Sequence, residues 1–314
     1  MHESNKPSKL AKVSVIIPSV LRPSLIRAVR SVKNQNYNGQ LECIIIIDLA
    51  KGSHSIPHEV IALADLILWT GGGARGGGAR NLGISHSTGD MIAFLDDDDE
   101  WMPEKIKSQV NLSMEYNENL VISCRIQHRR MGSDYVSIPL PKRLVGKIPT
   151  QSIEEYLFLR REPSVARSSL YTSTLMVSSN LAKSTAWRED LARHQDWDWL
   201  MQLQGSGATF LSIESVGAIV WLNSEGSISA SSDWIASLNW IEGWRDSIIP
   251  QVFADFAAAQ PLRYALNARS YRGIKEVLIA ILRSKKIPSI GPIIIGLTGL
   301  LPRRFIAILM TKKK

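Results

Sequence analysis

Two cysteines in 314 residues, Cys43 and Cys124, are too few for a disulfide framework, and their spacing fits no zinc site. That usage suits a reducing compartment. The N-terminal stretch MHESNKPSKLAK lacks the apolar region of a secretory signal, so a cytoplasmic location is expected. No Gly-Lys-Ser/Thr is present, which excludes a phosphate loop of the Walker type. No internal repeat stands out. A spanning helix needs about twenty consecutive apolar residues; the uncharged segment 287–301 is shorter and is interrupted by Pro288 and Pro292. Acid is scarce at one end only. From Gly273 to Lys314 there are nine Lys/Arg and a single acid, Glu276, which accounts for the whole net charge of +8. The rest of the chain is neutral, and this argues against a nucleic-acid footprint.

The patterns that are present alternate strand with helix. Val13–Pro18 reads as a buried strand, and Ser24–Gln35 as a helix with Leu25, Ala28, Val29 and Val32 on one face. Gln40–Ile47 is a second strand, His58–Ala64 is helical, and Leu66–Thr70 is a third strand. GGGARGGGARNLG follows, read as a flexible, anion-friendly loop ahead of a short helix to Ser87, and then the strand Met91–Leu95. Lys105–Tyr116 predicts a helix and Leu120–Gln127 a strand. Residues 128–170 read as a loop-rich insertion with a helix near Ile153–Arg160. Tyr171–Ser178 predicts a strand, Asp196–Gln204 a helix, Thr209–Leu222 two short strands, and Ser232–Ala259 helix. This order argues for an α/β fold: a doubly wound, mostly parallel sheet flanked by helices.

The centre of the pattern is MIAFLDDDDEWMP. An apolar strand delivers Asp96–Asp99 to the carboxyl edge of the sheet, where open α/β folds bind their ligands. Adjacent carboxylates resist joint ionisation, and a divalent cation with a preference for hard oxygen relieves the repulsion. Gly71, Gly73 and Gly76 formally match a dinucleotide fingerprint, but the glycines overrun the point where its helix should begin. Arg75 and Arg80 are placed to reach a diphosphate. Asp48, ending the second strand, is a candidate partner for a base or ribose. Asp196 opens an apolar helical run, so it is either a helix cap or a separate carboxylate available as a base.

Four blocks in order resemble glycosyltransferase family 2, whose nucleotide-binding domain has the GT-A fold. They are Val13–Pro18 with Arg22 and Pro23; Ser31 to Tyr37 with Glu42 and Ile44–Asp48; Gly76–Gly83 with Thr88-Gly89-Asp90 and FLDDDDEWMP; and Tyr171–Val177 with Arg188-Glu189 and His194–Asp198. The resemblance implies that Pro18, Asp48, Arg75, Arg80, Asp96 and Asp97 bind the nucleotide-sugar. It implies that Asp98 and Asp96 hold Mn²⁺ or Mg²⁺ and that Asp196 is the catalytic base. The family's second acid after Asp48 is replaced by Leu49, and the acid before the base by Gln195.

The expected organisation is a GT-A-like domain over 12–230, with 12–127 binding the nucleotide-sugar and 128–230 on the acceptor side. A helical extension over 231–272 and a basic, apolar tail over 273–314 follow, and the tail is a candidate membrane-docking segment. The expected function is an inverting, metal-dependent sugar transfer to a glycan or lipid-linked glycan in cell-surface polysaccharide synthesis, on the cytoplasmic face of the inner membrane. The rival readings are a membrane-docked nucleotide-sugar-binding scaffold without catalysis and a sugar-1-phosphate nucleotidyltransferase. The latter lacks its glycine-rich signature at Pro18–Pro23.

Overall fold

Strand β1 (Val13–Ser19) and β2 (Leu41–Ile47) are continuous apolar runs because both faces of the sheet are covered; Val13–Ile17 and Cys43–Ile47 have no exposed surface. The computed structural model describes residues 10–116, 119–148, 151–160, 168–222 and 233–301. Between the two strands runs α1 (Leu25–Lys33), burying Leu25, Ala28, Val29 and Val32. Next come α2 (His58–Leu63), β3 (Leu66–Trp69), α3 (Arg75–His86), β4 (Met91–Phe94), β5 (Glu100–Trp101), α4 (Lys105–Ser113) and β6 (Leu120–Arg130). The chain continues through α5 (Ile153–Phe158), β7 (Met176–Ser178), α6 (Ser179–Ser184), α7 (Gln195–Gly205) and β8 (Thr209–Leu222). Helices α8 (Trp234–Gly243), α9 (Pro250–Ala259), α10 (Pro261–Asn267), α11 (Tyr271–Arg283) and α12 (Ile290–Leu297) complete it.

The eight strands form one sheet in the order β3-β2-β1-β4-β7-β6-β8-β5. Strands β1 to β4 are parallel, β7 is antiparallel to both β4 and β6, β6 and β8 are parallel, and β5 is antiparallel to β8. This is the mostly parallel α/β sheet expected from the sequence. The strand order reverses direction at β1 and β4, so their carboxyl ends mark the crevice in which such sheets bind ligands.

Several elements differ from their sequence reading. Helix α3 begins at Arg75, inside the glycine run rather than after it. Gly71, Gly72 and Gly73 adopt φ of +91°, +98° and +80°, which a side chain would strain. Gly76–Gly78 instead form the first turn of the helix. A Cβ on Gly77 would lie 3.0 Å from the Arg188 carbonyl oxygen, so bare backbone is needed there for close packing. Thr209–Leu222 is one strand, because a Cβ at Gly217 would meet Cys124 Sγ at 2.5 Å; the glycine permits close contact and does not break the strand. Tyr171–Ser178 is strand only from Met176, preceded by a 3₁₀ turn at Thr172–Thr174. Helices α8 and α9 are separate because Pro250 opens a new helix.

By contacts the chain divides into two units. The first comprises Met1–Thr150, Ser169–Asp190 and Gln195–Glu225 and contains the sheet. The second comprises Gln151–Ser168, Leu191–His194 and Gly226–Lys314. The helical unit therefore takes in two short segments that the sequence assigned to the acceptor side. Its core is aromatic: Phe158 meets Phe256 edge-on at 4.9 Å and Trp240 at 6.1 Å. His194, at φ +60°, is enclosed by Trp240 and Phe256 and is 2.8 Å from the Ser237 hydroxyl. Burial, with Arg193 beside it, pushes its pKa down to about 3. No described helix is long and apolar enough to cross a membrane. Of the C-terminal tail, residues 302–314 lie outside the described residues.

Candidate active site

The four aspartates after β4 alternate. Asp97 and Asp99 point inward, with 3% and 6% of their surface exposed. Asp97 accepts from the Ser19 hydroxyl at 2.6 Å and from Arg22 Nη1 at 3.0 Å. Asp99 accepts from the Ser173 hydroxyl at 2.5 Å. Asp96 and Asp98 keep 37% and 19% of their side chains exposed. The burial pattern therefore separates two loop-anchoring aspartates from two outward-facing ones, a distinction that four identical letters cannot carry. Burial raises the pKa of both inner carboxyls. Asp97 is pushed further by Asp98 and Asp96 but held back by Ser19 and Arg22, while Asp99 is pushed well up with help from Asp96 and Asp98. Arg22 also reaches Asp98 at 3.3 Å, and Arg27 Nη2 donates to the Asp98 carbonyl at 2.8 Å, so α1 and the turn before it hold the loop from below.

Asp48 sits at the end of β2 and acts as the cap of α3. Its carboxylate accepts from the backbone N–H groups of Ala74 at 2.9 Å and Arg75 at 2.7 Å, and from the Thr70 hydroxyl. Two N–H groups that an anion-binding loop would offer are thus already occupied. Arg75 is exposed at the head of the helix with φ +57°, and among the described residues its side chain makes no ion pair. Pro18 is half-buried near the end of β1, opposite Ile46.

Arg80 lies one helical turn on and is 8% exposed. Its Nη2 donates to Asp96 Oδ1 at 2.7 Å, and its guanidinium stacks 4.7 Å from the Trp187 ring. Its Nε is buried without a hydrogen-bond partner. The same cation acts on Asp196, in the first turn of α7. Burial pushes the Asp196 carboxyl above the usual carboxylate range, the Trp197 N–H and the Arg80 charge pull it back, and Asp96 adds to the rise. Arg80 therefore bonds the outward carboxylate Asp96, and its charge also acts on the second carboxylate, Asp196. Asn81, the next residue, clamps this arrangement: its amide donates to the Trp187 carbonyl and to Glu189, both at 2.9 Å, and accepts from Trp187 N–H at 2.9 Å. Asp198 is fully buried, accepts from Gln202 at 2.6 Å and lies 3.8 Å from Arg188.

The sheet unit thus brings Arg80, Asp96 and Asp196 together, with Asp97 and Asp98 in the adjoining loop. Asp48 and Arg75 belong to the neighbouring turn at the head of α3. The sequence reading missed Ser19, Ser173 and Trp187 as supports and left Arg22 uncommitted. Arg22 stood in the opening block with Pro23, and only its partners reveal its role. Among the described residues no three His, Cys, Asp or Glu side chains converge as a closed metal site. Asp96 and Asp98 offer hard oxygens in a run of four carboxylates, where Arg80 and Arg22 each engage only one of their oxygens. That donor set fits Mg²⁺ or Mn²⁺, which commonly bind one or two carboxylates and complete their shell with water and substrate phosphate.

Residues 14–164 match the family model described as Glycosyl transferase family 2. The amylovoran biosynthesis glycosyltransferase AmsB of Erwinia amylovora is 27% identical over 271 residues, covering 82% of this chain and 86% of AmsB. The UDP-Glc:alpha-D-GlcNAc-diphosphoundecaprenol beta-1,3-glucosyltransferase WfgD of Escherichia coli is 33% identical over 109 residues, which is 33% of this chain and 42% of WfgD. In fold, S. aureus TarS superposes with a TM-score of 0.59 at 14% identity, over 88% of this chain and 50% of TarS; this chain spans only half of that protein. A shorter form, TarS 1-349 with UDP-GlcNAc, gives 0.54 at 16% identity over 87% of this chain and 73% of its own. The sheet is thus of the GT-A type, and residues 14–164 are similar to glycosyltransferase family 2.

Proposed function

We propose that the protein transfers a hexose-type sugar from a nucleotide-diphospho-sugar to a hydroxyl of a glycan acceptor, with inversion at the anomeric carbon, in cell-surface polysaccharide synthesis. The observation that carries this reading is Arg80, which pairs with the outward Asp96 at 2.7 Å while its charge acts on a second carboxyl of raised pKa, Asp196. The transfer requires positive charge beside the leaving diphosphate and a base beside the acceptor hydroxyl; Asp96, as a ligand for a cation, and Asp196 are assigned to those ends.

In this reading Pro18 and Asp48 lie at the nucleotide end, and Arg75 and Arg80 act on the diphosphate. Asp196 accepts the proton of the acceptor hydroxyl, and its raised pKa makes it a stronger base than an exposed carboxylate. The freed oxygen attacks the anomeric carbon opposite the diphosphate. One C–O bond forms, the other breaks with its electron pair leaving on the diphosphate, and a single displacement inverts the centre. A divalent ion held by Asp98 and Asp96 supplies positive charge to that leaving group when bound. Asp97, turned inward onto Ser19 and Arg22, serves donor binding by fixing the loop.

The relatives support the substrate class. AmsB is named for amylovoran biosynthesis, WfgD for transfer from UDP-glucose onto a diphosphoundecaprenol-linked sugar, and TarS has been solved with UDP-GlcNAc. A lipid-linked acceptor places the reaction at the cytoplasmic face of a membrane. The test is a donor screen. Purified protein is incubated with Mn²⁺ and a panel of nucleotide-sugars, and release of nucleoside diphosphate is followed with and without EDTA. Release from one donor, lost in EDTA and in Asp196→Asn, is expected. If calorimetry shows no metal-dependent binding of any nucleoside diphosphate or nucleotide-sugar, the reading is overturned.

A further inference from the structure

Helix α12 packs the wrong way round for a helix facing water. Its buried positions include Gly291, Pro292 and Gly296, while Ile290, Ile294 and Leu297 are 72%, 44% and 48% exposed. Those three recur at i, i+4 and i+7, one line along the helix. The small face is there for close approach, since a Cβ on Gly296 would press on the Ala258 carbonyl. The consequence is that Ile295 alone of the helix's large side chains is buried, and Ile290, Ile294 and Leu297 are left outside.

Helix α11 repeats the arrangement. Tyr271, Leu278 and Leu282 are 89%, 46% and 74% exposed at i, i+7 and i+11, again along one line, while Gly273, Val277 and Ala280 are buried. Between the two helices Ile287 is 85% exposed. Of the 21 large apolar side chains exposed among the described residues, ten fall between Tyr271 and Leu301, so this is a concentration and not ordinary scatter. The unpaired charges on the same stretch have one sign. Arg272 is paired with Glu276, but Lys275, Arg283, Lys285 and Lys286 have no acidic partner within salt-bridge distance among the described residues. Lys275 lies on the Tyr271–Leu282 line itself.

We propose that the outer faces of α11 and α12 dock on an anionic phospholipid bilayer, the apolar lines entering the interface and the unpaired lysines meeting lipid phosphate. The charge decides the occupant: a second copy of the same surface would set these lysines against each other, whereas anionic headgroups neutralise them. The proposal deepens the membrane-face reading above and does not depend on the sugar chemistry, because vesicles without donor or acceptor test it.

The experiment is co-sedimentation of the full chain with vesicles of phosphatidylcholine alone or mixed with phosphatidylglycerol, at low and high salt. Binding to the mixed vesicles, weakened by salt, is expected. Replacing Lys275, Lys285 and Lys286 together by serine lowers the partition coefficient by roughly a hundredfold, at about fivefold per charge near an anionic surface. The triple variant Ile290→Ser, Ile294→Ser, Leu297→Ser also releases the protein while still unfolding in one cooperative transition, because none of these side chains is buried in the core. Failure of the wild-type chain to sediment overturns the proposal, as does undiminished binding by both variants. A salt-stable dimer in light scattering that the Ile/Leu variant dissociates, without vesicle binding, assigns the surface to self-association instead. Donor hydrolysis in the same preparations keeps the two readings separate.

Discussion

Replacing Arg80 by methionine removes one positive charge from a position shared by two carboxylates, while keeping an apolar stem against Trp187. Two effects follow from the geometry. The Asp96 pair at 2.7 Å is lost, but Asp96 is 37% exposed, so solvent takes over much of its charge. With the stacking on Trp187 also gone, the cost to stability is about 1–2 kcal/mol. The effect on catalysis is larger, because a charge-assisted hydrogen bond organising the transition state is worth about 1.5–3 kcal/mol, or a ten- to hundredfold fall in kcat. The diagnostic result is the pH profile. Asp196 must be deprotonated to act as base, and Arg80 is one of the groups holding its pKa down against burial. Without Arg80 the acid limb of kcat moves to higher pH. Initial rates of nucleoside diphosphate release across pH, at saturating donor and with the ion present, measure it. A limb that stays in place or moves to lower pH refutes the coupling, whatever the loss of rate.

The alternation in the acid loop predicts opposite phenotypes for neighbouring residues. Asp98→Asn should weaken metal-dependent donor binding in calorimetry and leave the melting temperature near that of the wild type. Asp97→Asn should lower the melting temperature by disturbing the Ser19 and Arg22 contacts. Gly83→Ala drives a Cβ to 2.7 Å from Ile16 and 2.8 Å from Ile46. Overpacking costs about 1–3 kcal/mol, and better helix propensity returns up to about 1; denaturant unfolding should show the net loss. The two units should respond to acid in opposite senses. Asp99 has a raised folded pKa, so its contribution is full below the ordinary carboxylate value and fades as pH rises through the folded one. Asp99 should therefore add more to the sheet unit's stability at mildly acidic than at neutral pH, and Asp99→Asn should remove that difference from the wild-type profile. His194 is the reverse, with stability present above its ordinary 6.5 and lost as pH falls towards about 3. Melting of the helical unit followed by tryptophan fluorescence should track it, and His194→Gln should remove the dependence.

The sheet was largely legible because its strands are unbroken apolar runs, as at Val13–Ile17 and Cys43–Ile47, and because periodicity reports burial directly. The glycine tract was not. Composition marks all six glycines alike, yet Gly71–Gly73 are needed for their dihedral angles and Gly76–Gly78 for a helix pressed against residues 188–189. Only a three-dimensional neighbour separates these uses, and the same holds at Gly217, whose close neighbour Cys124 lies 93 positions away on the adjoining strand, a relation no sequence pattern records. In the candidate site, the resemblance named Arg80, Asp96 and Asp196. It could not order the aspartate run, because identical letters hold no orientation. Ser19 and Ser173 were invisible for a related reason: a serine that anchors a buried carboxylate has no sequence signature apart from its partner.

The alternation of the aspartates has a consequence for how this site tolerates change. Substitutions that swap Asp98 for another oxygen ligand keep the reading frame of the loop. Deleting any one of Asp96, Asp97 or Asp98 leaves a run of three that still spells Asp-X-Asp and changes the composition little. In the folded chain, however, each residue beyond the gap exchanges its inward and outward role. The carboxylate that anchored on Ser173 would be carried towards solvent, and one built for solvent would be driven into the core. The site is therefore sensitive to phase more than to content, and an aligned motif of the right letters is no guarantee of a working loop.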